Sequence, residues 1–222
     1  MKRSALLFDL DGTLVDSVPD LAAAANRLLA ELGRAPLGDA QVATMVGDGV
    51  AKLVERVLGA RQAGEVPLAP AVARFTALYE ADATTLTRPY PDVPQVLAEL
   101  AAAGVALAVC TNKIEQATRA VLDGLDLARF FPVVLGGDSL ATRKPDPAPL
   151  TVALDRLGVE RADAAMVGDH RNDVLAAEGA GVPAIFARYG YGLATLGALR
   201  PAAMIDRFSE LPRVLGAVLA GR

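Results

Sequence analysis

The sequence predicts an α/β fold in which a Rossmann-like, doubly wound parallel sheet forms the core and an all-helical domain is inserted into it. Short runs rich in Val, Ile, Leu and Phe recur without polar alternation, which is typical of strands buried on both faces. Helical patterns separate most of these runs, and this alternation indicates a parallel sheet covered by helices. One long helical stretch interrupts the rhythm and predicts the insert.

Five apolar runs are expected to form strands, and AAMID at Ala202 is a candidate for a sixth. The five begin at Ala5, Val105, Pro132, Ala164 and Pro183. Helical patterns connect them, and several end at glycine, a residue that commonly follows a helix C-terminus. These patterns are PQVLAELAAAG, EQATRAVLDGL, APLTVALDRLG and NDVLAAEGAG.

The helical stretch from about Asp16 to Arg88 contains no convincing strand and is too long for a single crossover connection. We therefore expect two domains: a core of residues 1–15 and 89–222, and a helical cap of residues 16–88. The chain is expected to pass between them near Val15–Val18 and near the proline-rich segment RPYPDVP.

Composition and charge argue against nucleic-acid-binding and membrane-spanning proteins. The chain has 222 residues, 53% of them hydrophobic, and a net charge of −4, which favours a globular protein without general affinity for nucleic acid or anionic membranes. No apolar segment has the length of a membrane span. Cys110 is the only cysteine and lies in an apolar run, so we expect a packed thiol in a reducing compartment. These features predict a cytoplasmic protein. A monomer or a homodimer is expected, but the sequence does not decide between them.

Polar residues follow each of the first four core strands. Because ligands bind beyond the carboxyl ends of the strands in an open α/β sheet, we expect these residues to meet at one edge. They are Asp9 and Asp11 in LLFDLDGT, Thr111, Asn112 and Lys113 in CTNK, Arg143 and Lys144 in ATRKPDP, and Asp169 and Asp173 in GDHRND.

The chemistry of this group indicates a metal and a phosphate. Two carboxylates about 4 Å apart repel by roughly 4 kcal/mol at an effective dielectric constant near 20, and a divalent cation between them offsets that cost. Mg²⁺ prefers carboxylates, waters and phosphate oxygens, while Thr111, Lys144 and helix-start amides are suited to hold a phosphate dianion.

Each piece alone also fits an ordinary structural role. DGT is a common turn, Thr111 is a possible helix cap, and Lys144 before a proline is typical of a solvated loop. Asp169 and Asp173 also suit a helix N-terminus. The order of all four pieces, each at a strand end, favours the functional interpretation.

These motifs resemble the haloacid dehalogenase superfamily, specifically its phosphatases. The family pattern is DxDGT, then Thr or Ser, then Lys, then GDxxxD, and this chain reads DLDGT, CTN, RKPDP and GDHRND, with a helical stretch after the first motif. The resemblance implies that Asp9 is the nucleophile and Asp11 the general acid and base. It implies Mg²⁺ bound by Asp9, the backbone carbonyl of Asp11 and Asp169.

The same resemblance implies that Thr111, Asn112 and Lys144 hold the transferring phosphoryl group, and that Asp173 orients the metal ligands without contacting the metal. The superfamily's dehalogenases and phosphonate-cleaving enzymes lack an aspartate at the position of Asp11, so a phosphate ester is favoured. Lys52 suggests the Schiff-base lysine of the phosphonate-cleaving group, but with Asp11 present we expect a solvated helix-face lysine.

DSVPDL, MVGDGV, VCTNK, KPDPAPL and RYGYG together resemble bacterial phosphoglycolate phosphatases. The resemblance implies that Gly47, Asp48 and Gly49 reach the substrate, although a packing turn between two cap helices is an alternative. Departures from that group are Asp48 itself, His170 and the apolar LATLG after RYGYG. His170 is expected to be a surface residue in the first turn of a helix, and donation to a phosphate or to a carboxylate beside the metal ligands is the alternative.

A small phosphorylated metabolite is the expected partner, with 2-phosphoglycolate as first choice. Lys113, Arg143 and Lys52 are unranked candidates to bind its carboxylate. The alternatives are a phosphatase for another small sugar or nucleotide phosphate or for pyrophosphate, a sugar phosphomutase, and a non-catalytic phosphate-binding module.

Overall fold

A computed structural model describes residues 4–220 of the chain. The strands are β1 (Ala5–Phe8), β2 (Val15–Asp16), β3 (Arg88–Pro89), β4 (Ala106–Cys110), β5 (Val133–Leu135), β6 (Ala164–Gly168), β7 (Ala184–Ala187) and β8 (Ala203–Ile205). The helices are α1 (Val18–Glu31), α2 (Asp39–Ala43), α3 (Val50–Ala60), α4 (Leu68–Glu80), α5 (Val93–Ala102), α6 (Glu115–Gly124), α7 (Ala148–Leu157), α8 (Arg171–Ala180) and α9 (Leu211–Ala220).

Six strands form one parallel sheet in the order β5-β4-β1-β6-β7-β8. The six predicted strands, including AAMID, are all present. From β1 the chain builds outward through β4 and β5 and then returns to build outward through β6, β7 and β8, so β1 lies at the point where the strand order reverses. Crevices at such a point are the usual ligand sites of open α/β sheets.

Both faces of the sheet are covered by helices, as the absence of alternation predicts. The side chains of Leu6 and Phe8 join the apolar core that includes α5, α6 and α9. Those of Ala5 and Leu7 join a second apolar core formed with α7 and α8. All four residues of β1 are fully buried, which explains why the strand reads as a continuous apolar run.

The stretch between β2 and β3 folds as α1 to α4 and contains no strand among residues 17–87. The expectation of no strand from Asp16 to Arg88 is wrong at its two ends. Val15 and Asp16 pair antiparallel with Pro89 and Arg88, in a two-stranded ribbon where the chain leaves and re-enters the core. Two residues are too short a segment to show any periodicity. The division into a core and a cap at these points stays a prediction.

Cys110 lies in β4 with a fully buried, free thiol, as predicted. Burial raises the pKa of this thiol to about 12, so it stays protonated. None of the helices in residues 4–220 has the length and apolar content that a membrane span requires.

Asp20 in α1 ties the start of the helical stretch to its end. Its buried carboxylate accepts hydrogen bonds from the Leu86 N–H at 3.0 Å, the Thr87 N–H at 2.7 Å and the Thr87 hydroxyl at 2.7 Å. One carboxylate is therefore the hydrogen-bond acceptor for three donors just before β3.

We expect Asp20→Ala to lower the free energy of unfolding by about 2–4 kcal/mol, because it leaves buried donors without a partner. Asp39→Ala removes an exposed aspartate from the first turn of α2 and should change the free energy by less than about 0.5 kcal/mol. Urea unfolding followed by circular dichroism measures both. Equal stability of the two variants would contradict the role of Asp20.

Candidate active site

The ends of β1 and β6 place Asp9 and Asp169 side by side. Phe8 is in register with Val109 of β4 and Val167 of β6, and the Asp9 N–H still donates to the Val167 carbonyl at 2.9 Å. Asp9 thus continues the strand by one residue before the chain turns. Its Oδ1 accepts a hydrogen bond from the Leu10 N–H at 2.7 Å, and its side chain is nearly buried.

Lys144 joins Asp9 to Asp173. Its Nζ lies 3.1 Å from Asp9 Oδ1 and 2.5 Å from Asp173 Oδ1, and the residue is 2% exposed. The alternative of a solvated loop lysine is therefore wrong. Asp173 Oδ2 accepts from the His170 N–H at 2.9 Å, so Asp173 also caps the start of α8. Both of its oxygens are engaged by the protein.

Asp169 is held by donors from two loops. Oδ1 accepts from the Thr13 hydroxyl at 3.0 Å, and Oδ2 accepts from the Tyr191 N–H at 2.8 Å and the Gly192 N–H at 3.3 Å. A Cβ atom on Gly12, where φ is +86°, would lie 2.3 Å from Asp169 Oδ2. The glycine of DGT is therefore required both for the turn and for close approach of the carboxylate.

The segment RYGYG contributes to the site, and its role was missed at the sequence level. It follows β7, whose carboxyl end lies at the same edge as those of the first four core strands. A Cβ atom on Gly190 would lie 2.3 Å from the Gly12 carbonyl oxygen, so the two loops touch at their backbones. The signal that could have found it is a glycine pair directly after a predicted core strand.

Asp9, Asp169 and Asp173 form a buried carboxylate cluster with ligand oxygens within 4.8 Å of one another. Burial raises the pKa of Asp9 from 3.8 to about 6, against the opposing charge of Lys144. Burial and the nearby charge of Asp9 raise the pKa of Asp169 well above its usual value. One ammonium does not neutralise three carboxylates, so the donor set fits a divalent cation.

Asp11 and Lys113 form a second charged pair beside this cluster. Lys113 Nζ lies 3.2 Å from both carboxylate oxygens of Asp11. The same ammonium lies 4.3 Å from the ring centroid of Tyr79 in α4, which is a cation–π distance. The side chains of Lys113 and Asp11 are 8% and 12% exposed. Asp9 and Asp11 therefore have different lysine partners.

The Gly47–Gly49 loop lies between α2 and α3 and contacts the core. The Gly47 carbonyl accepts from the side-chain amides of Asn112 at 2.9 Å and Asn172 at 3.2 Å. Asp48 accepts from Asn172 at 2.8 Å and forms a 2.5 Å ion pair with Arg56. The loop is therefore more than a turn between two cap helices. Asn172 was not among the residues predicted for the site. Its position inside the motif GDHRND is the signal that could have indicated it.

Asn112 and Thr111 both lie at the candidate site. The Asn112 side-chain amide donates to the Gly47 and Lys144 carbonyls at 2.9 Å each, so its predicted contact with phosphate competes with these two bonds. Thr111 is not a helix cap, since α6 is preceded by Ile114 at that position. Its hydroxyl accepts a hydrogen bond from the Lys113 N–H at 3.3 Å, and its side chain opposes the rise in the pKa of Asp9.

The prediction that His170 is a surface residue is wrong. The residue is 6% exposed and precedes α8 as its N-cap, with its ring accepting from the Asn172 N–H at 3.3 Å. A Cβ atom on Gly47, where φ is +117°, would lie 2.6 Å from the His170 ring. The Gly47–Gly49 loop therefore covers the ring. Burial lowers the pKa of His170 despite the nearby charge of Asp48.

A cavity of about 60 Å³ lies between helices α1, α3 and α4 and the carboxyl ends of β1 and β4. Its polar end consists of Asp9, Asp11, Thr111, Asn112 and Lys113. The rest of its wall is mainly apolar and comes from α1, α3, α4, α6 and the loop before α3: Leu21, Val46, Val50, Leu53, Phe75, Tyr79, Ile114 and Ala117. Lys52 and Arg143 are exposed and do not line it.

The family model for haloacid dehalogenase-like hydrolases matches residues 6–187. The chain belongs to this family. The match extends from β1 to β7 and so includes every residue of the carboxylate cluster. The resemblance stated from DLDGT, CTN, RKPDP and GDHRND is confirmed.

Curated relatives match nearly the whole chain. A phosphoglycolate phosphatase from Rhodospirillum rubrum is 46% identical, over 96% of this chain and 90% of its own. One from Neisseria meningitidis is 44% identical, over 93% of this chain and 91% of its own. The crystal structure of a predicted phosphoglycolate phosphatase from Haemophilus somnus superposes with a TM-score of 0.89 at 30% identity, covering 96% and 98% of the two chains.

The raised pKa values predict how metal binding depends on pH. Because folding raises the pKa of Asp9 from 3.8 to about 6, the folded state holds its proton longer than the unfolded chain does. Without metal, the free energy of unfolding should therefore fall as the pH rises from about 4 to about 6. A divalent cation has to displace these protons, so Mg²⁺ should raise Tm more at about pH 7.5 than at about pH 5.

Thermal unfolding with Mg²⁺ and with EDTA at the two pH values measures this difference. Asp169→Asn should remove the response to Mg²⁺, while Asp123→Asn, on the exposed face of α6, should retain it. Equal Mg²⁺-induced shifts at both pH values would contradict the expected competition between proton and metal.

Proposed function

We propose that this protein is a Mg²⁺-dependent phosphomonoester hydrolase whose substrate is 2-phosphoglycolate. The observation that carries the proposal is the position of Asp9 and Asp11 at the polar end of a small cavity, with the ammonium of Lys144 3.1 Å from Asp9. Relatives named phosphoglycolate phosphatase, 46% and 44% identical over almost the full chain, support the choice of substrate.

Asp9 is the nucleophile in this proposal. Its carboxylate attacks phosphorus, the bond from phosphorus to the ester oxygen breaks, and an aspartyl-phosphate forms. Asp11 gives a proton to the leaving alkoxide. Asp11 then takes a proton from water, which attacks the same phosphorus, releases inorganic phosphate and restores Asp9. Thr111 and Lys144 hold the phosphoryl oxygens, and Lys144 keeps Asp9 in place.

Asp9, the backbone carbonyl of Asp11 and Asp169 are the residues that would hold Mg²⁺. When bound, the cation neutralises phosphate charge beside the nucleophile. Asp173 supports this set through Lys144 and the start of α8, since both of its oxygens are already engaged. The loop that carries Tyr191 and Gly192 orients Asp169 from the opposite side.

The cavity wall argues against most alternative substrates. A sugar or nucleoside leaving group would bring hydroxyls against Leu53, Val50 and Phe75, where they would lose hydrogen bonds to water. A non-catalytic module would not require Asp11 beside the nucleophile. A phosphomutase would be revealed by dependence on a bisphosphate activator. Location in the cytoplasm and the monomer or homodimer state remain predictions.

Phosphate release from a panel of esters, with Mg²⁺ and with EDTA, tests the proposal. We expect 2-phosphoglycolate to give the highest kcat/KM among 2-phosphoglycolate, sugar phosphates, nucleotides and pyrophosphate, and EDTA to abolish turnover. Asp9→Asn should lower kcat by about 10³-fold or more, because the nucleophile is lost. Asp123→Asn should behave as wild type. Unchanged activity in Asp9→Asn would remove the proposed nucleophile.

The two roles of Asp11 predict a difference between leaving groups. For p-nitrophenyl phosphate the leaving group needs little protonation, whereas hydrolysis of the aspartyl-phosphate still needs a base. Asp11→Asn should therefore release about one equivalent of nitrophenolate in a burst and then turn over slowly. With 2-phosphoglycolate, the rate of the first step, formation of the aspartyl-phosphate, should itself fall by about 10²–10⁴-fold. Rapid-quench kinetics measures both, and the Asp9→Asn/Asp11→Asn double variant should show no burst. Equal losses on the two substrates without a burst would contradict these roles.

A further inference from the structure

Lys113 occupies an unusual position for a lysine. Its side chain is 8% exposed, and its ammonium lies against Asp11 and over the Tyr79 ring. It also lines the cavity as part of the polar end. An ammonium has three N–H donors, and Asp11 and the ring leave it capacity for a further anionic partner on the cavity side.

Lys113 is the one cationic residue among the described residues that line this cavity. Lys52 is about half exposed and pairs with Glu55 at 2.6 Å on the outer face of α3. Arg143 is exposed beside Gly49 and also lies outside the lining. The structure therefore ranks Lys113 first among the three cations that the sequence left unranked.

The pairing of Lys113 with Asp11 sets its distance from the reacting atoms. Asp11 protonates the leaving oxygen in the proposed reaction, so that oxygen has to lie next to the Asp11 carboxylate. In 2-phosphoglycolate one carbon separates this oxygen from the carboxylate group. A cation that contacts Asp11 is therefore also within reach of a carboxylate on that leaving group.

The surroundings of Lys113 favour a compact anion over a polyhydroxy group. Leu21, Leu53 and Phe75 provide no hydrogen-bond partner for hydroxyls, and Thr76 and Tyr79 add only two hydroxyls to this part of the wall. The low local dielectric strengthens an ion pair with the ammonium. The volume of about 60 Å³ is also small, which suits a compact leaving group.

We propose that Lys113 is the specificity-determining residue of the site and binds the carboxylate of the leaving group. The proposal rests on the proposed function, which it deepens by assigning the substrate's second anionic group to a residue of the loop after β4. Lys144 holds the phosphate end, and Lys113 holds the carboxylate end.

Binding of two phosphonates that cannot be hydrolysed tests the proposal without turnover. 3-Phosphonopropionate has a CH₂ in place of the ester oxygen of 2-phosphoglycolate, and propylphosphonate has in addition a methyl in place of the carboxylate. Calorimetry with Mg²⁺ should show that the wild type binds 3-phosphonopropionate about 10- to 100-fold more tightly than propylphosphonate. Lys113→Met keeps most of the apolar stem and removes the charge, and it should reduce this ratio to about twofold or less. Lys52→Met is the matched control and should keep the wild-type ratio.

The ratio of the two affinities separates recognition of the carboxylate from support of Asp11. A role limited to holding Asp11 would change both affinities alike and leave the ratio unchanged, which would overturn the proposal. A wild-type ratio near one would overturn it as well. Lys113→Gln keeps a hydrogen-bond donor for Asp11 and should also reduce the affinity ratio to about twofold or less. It replaces Lys113→Met in the test if that variant does not fold.

Activity measurements keep this proposal separate from the proposed function. Phosphate release from uncharged alkyl phosphates with no preference for 2-phosphoglycolate would overturn the role of Lys113 and leave the Asp9 hydrolase intact. A wild-type protein with a high phosphonate ratio but no release from any ester would overturn the hydrolase and retain Lys113 as the carboxylate site.

Discussion

The contact of Lys144 with Asp9 and Asp173 is the interaction on which the rest of the site depends. Three carboxylates converge where β1 and β6 end, and all three are nearly removed from water. Burying such charges is costly unless they are paired and hydrogen-bonded. Lys144 arrives from the loop after β5 and is the cation that contacts two of them. The sheet order makes this possible, because β1 lies between β4 and β6.

Lys144 neutralises only part of the negative charge of the three carboxylates. Burial and the charge of Asp9 raise the pKa of Asp169, and its donors among the described residues, the Thr13 hydroxyl and the amides of Tyr191 and Gly192, are all neutral. A fully neutralised cluster would be more stable and would have less affinity for a cation. Functional sites commonly keep such unfavourable electrostatics, which the surrounding fold tolerates. The backbone contacts of Gly12 and Gly190 hold Asp169 in place despite that cost.

The sequence predicted the sheet and the carboxylate cluster because both follow from local signals. Fully buried strands read as apolar runs, and the residues just beyond them must share one edge. Contacts between distant loops have no such signal. The glycine pair of RYGYG places this segment at the edge of the sheet but does not specify that its amides bind Asp169, and a lone histidine before a helix gives no sign that Gly47 covers it. The β2–β3 ribbon is too short for any pattern, and the Tyr79 ring beside Lys113 depends on how α4 packs on the core.

The cavity combines two contributions that have different origins. Residues after β1 and β4 provide its charged groups, whereas α1, α3 and α4 provide most of its apolar wall. Lys113 belongs to the first group but depends on the second, since Tyr79 and its neighbours exclude water from its ammonium. Selectivity for an anionic leaving group would then reside in the loop after β4, two residues from Thr111. The helices would set the size of the leaving group and the dielectric in which its charge is recognised. A change of helices around an unchanged loop would therefore alter the shape that is accepted before it altered the preference for negative charge.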